Sequence, residues 1–181
     1  MRMLALAAAL SLVTLAGGAH AQAAPDVHVT LGPVLEKRTA EFGVRELDDL
    51  RADLRDEVTR TLARSGKAPT RVDLVIEDAA PNRPTMEQMS RTPGLSLRSV
   101  GVGGARVSGV VTYADGAARP LRYQWYETDI TQERAASTWS DAQRSFGLLA
   151  DQLGRGRVPD AYQGPGPSAD GGSFGYPRRG Y

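Results

Sequence analysis

Three acidic residues in the second half of the chain have the types and spacing to do chemistry. Glu127 and Asp129 are two residues apart, so they share one face at the end of an alternating segment, and Asp141 begins an apolar-periodic segment. Carboxylate oxygens ligate calcium, and paired carboxylates divide acid and base roles in hydrolysis. However, Asp141 also suits the first turn of a helix, and Glu127 can pair with Arg122 or Arg134. A calcium-dependent or carboxylate-based hydrolase is therefore an alternative hypothesis.

The sequence contains few residues that could support other kinds of catalysis. His28 is the only histidine beyond the first 21 residues, and the chain contains no cysteine. A serine triad needs its base and a zinc site needs several nitrogen or sulfur ligands, so neither is expected. The glycine-rich stretch 101–105 is followed by a strand pattern, which indicates a hairpin turn and not a phosphate loop. We predict no catalytic residue, no metal and no cofactor.

A binding surface is better supported than a catalytic one. Asn82 and Arg83 lie in the proline-containing connection 78–93, where rigid turns would display an arginine fork suited to carboxylate or phosphate. Tyr126 faces away from Trp125 on the same predicted strand and is expected to be exposed. Exposed aromatics and arginines are common binding anchors. The predicted binding residues are Asn82, Arg83, Tyr126, Glu127 and Asp129.

Hydrophobic periodicity predicts the elements that hold these side chains. Residues 26–31 and 71–77 alternate apolar and polar residues, which is typical of half-buried strands. Residues 44–64 carry an apolar stripe with three- and four-residue spacing, which predicts a helix. Residues 34–43 are predicted to be a loop with some strand character.

The stretch 94–130 predicts a three-strand meander with turns at Gly103-Gly104 and Asp115-Gly116. A one-residue slip flips every side chain of a strand, so for the second hairpin we expect the loop 115–117, which keeps the apolar faces together. Pro120 donates no backbone hydrogen bond and is expected at the start of its strand or on an exposed side. The expected pairs are Val111 with Leu121, Gly109 with Tyr123 and Val107 with Trp125.

A second helix is predicted after the meander. Ser140 and Gln143 fit a capping box, and Gly154 ends the apolar-periodic stretch. The order β-α-β-β-β-β-α predicts an α+β fold, a single mostly antiparallel sheet of about five strands with two helices packed on one face. The predicted core residues are Leu47, Leu54, Val58, Leu74, Ile76, Val107, Val111, Leu121, Trp125, Phe146 and Leu149.

The ends of the chain differ in character from the middle. Residues 1–21 have a basic start, an apolar run and a small-x-small site, which predicts a signal peptide cleaved after Ala21. Residues 22–153 are predicted to form one domain, and the Gly- and Pro-rich residues 154–181 a disordered tail. Removal of Arg2 with the signal leaves equal numbers of basic and acidic residues. We therefore expect no nucleic-acid partner and no stable membrane anchor after cleavage.

From Asp26 to Leu153 the chain resembles the small uncharacterised exported envelope proteins of proteobacteria. The resemblance rests on the element order and on the stretches DLVIEDAAPNRP and YQWYETD. It implies a periplasmic or secreted helix-on-sheet domain and carries over no functional residue. Related-looking accessory lipoproteins have a lipid-modified cysteine, which this chain does not contain.

The leading hypothesis is a non-catalytic periplasmic or secreted accessory protein that presents the meander edge or the long loop to an envelope protein partner. The first alternative is a hydrolase or calcium-dependent module that uses Glu127, Asp129 and Asp141. The second alternative is a structural or stress-related exported protein with no discrete site. The sequence does not determine the oligomeric state.

Overall fold

The computed structural model describes residues 25–65, 69–130 and 137–167. The predicted signal peptide and the end of the predicted tail lie outside these ranges. The described residues form an α+β fold, as predicted, with helices on one face of a single sheet. The elements are β1 Asp26–Leu31, α1 Pro33–Lys37, α2 Thr39–Phe42, α3 Val44–Leu62, β2 Arg71–Ala80, α4 Met86–Arg91, β3 Gly104–Thr112, β4 Ala118–Tyr126 and α5 Ser140–Gly154.

The sheet is mixed and has the order β1-β2-β3-β4. β1 and β2 are parallel neighbours, since the chain crosses between them through α3, and the other two pairs are antiparallel. α3 packs on β1, α5 packs on β3 and β4, and the two helices pack against each other. The prediction of about five strands is wrong by one, because the first strand of the expected meander does not form.

The stretch where that strand was expected, residues 95–102, is irregular and contains a turn at Leu97 and Arg98. The buried Ser99 hydroxyl accepts a hydrogen bond from the Ser96 amide at 3.2 Å, and the Ser96 hydroxyl accepts one from the Arg98 amide at 3.2 Å. Serine side chains that bond to nearby backbone groups compete with a sheet ladder. The expected strand therefore does not form, because the serine side chains satisfy backbone amides within the stretch itself.

The core lies between the sheet and the two long helices. Every predicted core residue is buried except Trp125, which is half-buried and packs against the core from its edge. Each fully buried leucine, valine or phenylalanine contributes about 1.5–3 kcal/mol of transfer free energy. The side chains of α3 that face the core are Leu47, Leu50, Leu54, Val58 and Leu62.

The connection between β1 and α3 is helical and not the predicted loop. Pro33 stands in the first turn of α1, where its missing amide proton costs nothing and its fixed φ favours the helix. Gly43, with φ of 95°, separates α2 from α3. Leu35 and Phe42 are fully buried. The two short helices therefore add apolar side chains to the core, and α1 packs on β2.

The register of β3 against β4 is shifted by two residues from the expected one. Gly109 is opposite Leu121, not Tyr123, and the three-residue loop is Ala114–Gly116, one residue earlier than predicted. The Asp115 carboxylate accepts a hydrogen bond from the Ala117 amide, and Gly116 takes φ of 81°. A shift of two preserves the face of every side chain, so the core was predicted correctly from the wrong pairs.

Two local predictions near α5 also differ from the structure. Trp139 is the residue before the helix and Ser140 is the first helical residue, with no side-chain cap, whereas a capping box is present in α4 between Thr85 and Gln88. Residues 155–167, predicted to be disordered, lie along β4. They are held there by backbone and side-chain hydrogen bonds that a count of apolar residues does not reveal.

Candidate functional site

Asn82, predicted as an exposed binding residue, is fully buried and has a structural role. Its side-chain Nδ2 donates to Asp141 Oδ2 at 2.5 Å, and its Oδ1 accepts from the Asp141 amide at 2.8 Å. The same Asp141 oxygen accepts a hydrogen bond from the Gly103 amide at 2.9 Å. We call Asn82 and Asp141 the clamp, because they tie the connection after β2 to the first turn of α5.

Arg83 is half-buried and its guanidinium is engaged. Its Nη1 donates to the carbonyl oxygen of Leu97 at 2.5 Å, which holds the turn region 91–98 against the connection after β2. The structure therefore places Arg83 beside an exposed loop and gives it a positioning contact, not an open anion site.

Tyr126 is buried, contrary to the prediction of exposure. Its hydroxyl donates to Asp78 Oδ2 at 2.7 Å, and Asp78 lies 3.7 Å from the Arg38 guanidinium. Burial, with the Asp78 carboxylate beside the phenol, raises the pKa of Tyr126 far above its usual value. The Arg38 guanidinium donates two hydrogen bonds to Glu41 and holds the pKa of that carboxyl below its usual value. This network connects the last residue of β4 to β2 and to the connection between α1 and α2.

Glu127 and Asp129 lie just after β4 and do not assemble a site with Asp141. The Glu127 carboxylate accepts the backbone amides of Thr128 and Asp129 at 2.9 and 3.1 Å and lies 3.7 Å from Arg144. Asp129 is exposed. Across residues 25–65, 69–130 and 137–167, no three acidic or histidine side chains come close enough to hold a metal ion together. The five predicted binding residues thus do not converge on one common site.

A groove of about 800 Å³ lies elsewhere, between β4, the last turns of α5 and the segment that follows. Its lining along β4 runs from Arg119 to Trp125, which corresponds to roughly 20 Å of extended strand. Leu148, 39% exposed, stands on the α5 side. We call this the β4–α5 groove. None of the five predicted binding residues lines it.

The charge of the β4–α5 groove is predominantly positive. Arg119, Arg155 and Arg157 are exposed in its lining, whereas its one acidic lining residue, Asp151, lies 3.6 Å from Arg155. Trp125 forms part of the wall. The groove therefore combines an aromatic wall with more guanidinium groups than carboxylates, which is the chemistry that suits an acidic ligand.

The segment after α5 builds one wall of the groove by closing the edge of β4. The Arg122 amide donates to the Pro159 carbonyl at 2.9 Å, and Gln124 Nε2 donates to the carbonyls of Gly164 and Pro165 at 2.9 and 3.1 Å. The Arg106 guanidinium lies 4.9 Å from the Tyr162 ring centroid. Covering an edge strand in this way limits uncontrolled strand pairing.

Sequence reasoning missed the groove because its arginines are on elements of different predicted kinds. Arg119 precedes a strand, whereas Arg155 and Arg157 fall in the predicted disordered tail. One signal for the groove was present in the sequence. Arg155 and Arg157 directly follow the apolar-periodic helix, and basic residues at a helix C-terminus are held favourably by its dipole. The partner strand that completes the groove is distant in sequence, so its identity required the structure.

Comparison with known proteins gives little to transfer. No family model and no curated protein match the chain. Among solved structures the chain is similar to a minor lipoprotein from Acinetobacter baumannii, with 15% identity and a TM-score of 0.30, over 76% of this chain and 98% of that chain. A TM-score this low establishes no shared fold, and no residue role follows from it. Within the described residues, no helix has the length and apolar character needed to cross a membrane.

Proposed function

We propose that the chain is a non-catalytic accessory protein of the bacterial envelope that binds an acidic, extended segment of a partner protein in the β4–α5 groove. The observation that supports this proposal most directly is the groove itself, whose lining holds three exposed arginines and a single acidic residue, Asp151, which lies 3.6 Å from Arg155. The export signal predicted from residues 1–21 supports the envelope location.

The shape of the groove favours a peptide over a small anion. A single carboxylate or phosphate needs converging donors at one point, whereas the lining of this groove extends along about 20 Å of β4, from Arg119 to Trp125, and beyond the end of α5. An extended segment of about six residues has this length. Leu148 and Trp125 offer apolar contact between the charges. The final residues 168–181 contain one aspartate and two arginines, so their charge does not complement the groove.

The test uses a photo-crosslinking amino acid placed at Leu148 in the full chain, expressed in its own host. We expect one dominant adduct, and we expect Arg155→Glu/Arg157→Glu to abolish it. The matched control Arg55→Glu/Arg60→Glu makes the same change in net charge on the exposed face of α3 and should retain the adduct. The same crosslinker at Val110, 40% exposed, on the opposite face of the sheet, should give none.

A defined probe gives a second readout. A fluorescein-labelled decapeptide of alternating glutamate and leucine should bind the mature protein, with affinity that decreases as salt increases. The Arg155→Glu/Arg157→Glu variant should bind it roughly tenfold more weakly, because two attractive charges become repulsive. Equal binding by this variant and by the α3 control, or equal adducts from Leu148 and Val110, would refute the proposal.

A further inference from the structure

A second surface, remote from the β4–α5 groove, combines exposed apolar side chains with arginines. Met86 is 71% exposed and Leu97 is 62% exposed. Residues 91–94 and 96–98 are all exposed, so most of this stretch is open to solvent. We call residues 86–98 the apolar tip. Soluble domains tolerate single exposed apolar residues, but two large ones in one short stretch beside basic residues require a further explanation.

The apolar tip carries more basic than acidic side chains, and its acidic neighbour Glu41, which accepts a hydrogen bond from Gln88 at 2.8 Å, is itself bonded to Arg38. Between Arg83 and Arg98 the only acidic residue in the sequence is Glu87, and it is paired with Arg91 at 2.6 Å. Arg98 is exposed at the end of the loop. The Arg83 guanidinium bonds to the Leu97 carbonyl, which fixes the loop and keeps a positive charge behind it. The net charge of the mature chain is zero, so this charge is local and does not follow from composition.

The neighbouring surface extends the apolar area. A methyl group built on Gly43 would lie 3.8 Å from Glu87 Cβ, so the start of α3 and the start of α4 are adjacent. Val44, the residue after Gly43, is 63% exposed, and Met86, the residue before Glu87, is also exposed. The exposed apolar side chains of two elements therefore lie on the same end of the molecule as the arginines.

We propose that the apolar tip binds the surface of an anionic lipid bilayer, with Leu97 inserted below the headgroups and Arg98 at the phosphates. Apolar side chains that enter the headgroup boundary, together with basic residues that meet anionic lipid, are the two contributions that hold a protein reversibly at a membrane. A bilayer accepts an exposed apolar side chain anywhere on its surface, whereas a protein partner would need a preformed cavity for Leu97. The charge complementarity favours anionic over neutral lipid.

Vesicle binding tests the proposal on the mature full chain. The probes are vesicles of 30% phosphatidylglycerol in phosphatidylcholine and vesicles of phosphatidylcholine alone. We expect binding to the anionic vesicles that decreases in high salt, and much weaker binding to the neutral ones. Arg98→Gln should weaken anionic binding about fivefold, and Leu97→Ser roughly tenfold. Val110→Ser removes a comparable exposed apolar group on the sheet and should change nothing.

Direct contact with lipid can be read from a single label, because the chain has no cysteine. Leu97→Cys carrying an environment-sensitive fluorophore should shift to shorter emission wavelengths when anionic vesicles are added, and Val110→Cys with the same label should not. The melting temperatures of the variants should equal that of the parent, since both positions are exposed. An unchanged Leu97 label, or Leu97→Ser binding as strongly as Val110→Ser, would overturn the proposal. Neither result depends on the β4–α5 groove.

Discussion

Replacement of Asn82 by alanine should greatly lower the free energy of unfolding, although Asn82 belongs to neither proposed binding surface. The clamp joins two fully or nearly buried residues that are distant in sequence, and its two side-chain hydrogen bonds are 2.5 and 2.8 Å long. Alanine at this position removes the donor to the Asp141 carboxylate and leaves the Asp141 amide without its acceptor. Both groups stay in an interior that water does not reach.

The magnitude follows from these two losses. A hydrogen bond to a charged group contributes about 1.5–3 kcal/mol, and a buried donor left unsatisfied costs about 1–3 kcal/mol. We therefore expect the Asn82→Ala variant to lose about 4 kcal/mol of unfolding free energy. For a domain of this size, that corresponds to a decrease in melting temperature of roughly 15 °C. Such a loss is a large part of the total stability of an ordinary domain.

Urea unfolding of the mature chain, followed by circular dichroism, is the assay, and Gln143→Ala is the matched control. Gln143 Nε2 donates to Asp53 Oδ2 at 2.8 Å, the same amide-to-carboxylate bond, but at the surface. The control should lose about 0.5 kcal/mol or less, because water replaces an exposed partner. A loss for Asn82→Ala as small as that of the control would refute the burial argument.

A double-mutant cycle identifies the partner. Asn82→Ala and Asp141→Ala should be strongly non-additive, with a coupling energy of about 2 kcal/mol, because each substitution removes the hydrogen bond between Asn82 Nδ2 and the Asp141 carboxylate. Additivity within about 0.5 kcal/mol would show that the clamp does not stabilise the fold through this pair.

Two further predictions concern the sheet. Burial and Asp78 raise the folded-state pKa of Tyr126, so the contribution of its neutral hydroxyl to stability is present below pH ~10 and is lost as pH increases further. In urea unfolding, the free energy of unfolding of the parent relative to that of Tyr126→Phe should therefore decrease by about 1.4 kcal/mol between pH 9 and pH 11. A difference that stays constant over this range would contradict the prediction. A methyl group at Gly109 would collide with the Asp73 carbonyl oxygen, so Gly109→Ala should lose about 2 kcal/mol or more in the same assay. Gly147→Ala, where a methyl group meets open space in α5, should gain up to about 1 kcal/mol, and similar losses at both glycines would contradict the steric argument.

Hydrophobic periodicity predicted which faces of the elements are buried, but not how the elements pair. In the β3–β4 hairpin the sequence contained Asp115-Gly116, and both Asp115–Ala117 and Ala114–Gly116 are three-residue loops. The structure takes the one that puts Gly116 at the last loop position with φ of 81°. Either choice buries Leu121, because the two registers differ by two residues. The pattern therefore specifies the face, and turn stereochemistry specifies the register.

The candidate site was harder to predict, because exposure depends on tertiary contacts. The residues around Asn82 are typical of a turn. Its side-chain oxygen nevertheless accepts a hydrogen bond from the Asp141 backbone amide in the first turn of α5, which is distant in sequence. Tyr126 alternates correctly with Trp125, but the face it occupies is covered by Asp78 and Arg38 and not by solvent. Strand alternation indicates on which face of a sheet a residue lies, but it does not indicate whether that face is exposed to solvent.

The two proposed surfaces are at opposite ends of α5, and the clamp relates them. Asp141, in the first turn of α5, is bonded to Asn82, which directly precedes Arg83 and its contact to the apolar tip. Leu148 and Arg155, toward and just beyond the other end of the helix, line the β4–α5 groove. A helix of 15 residues is about 22 Å long. The clamp at the first turn of α5 and the groove at its last turns are therefore separated by most of that length. Because the hydrogen bonds of the clamp fix the first turn of α5, this separation belongs to the fold and does not depend on either ligand being present.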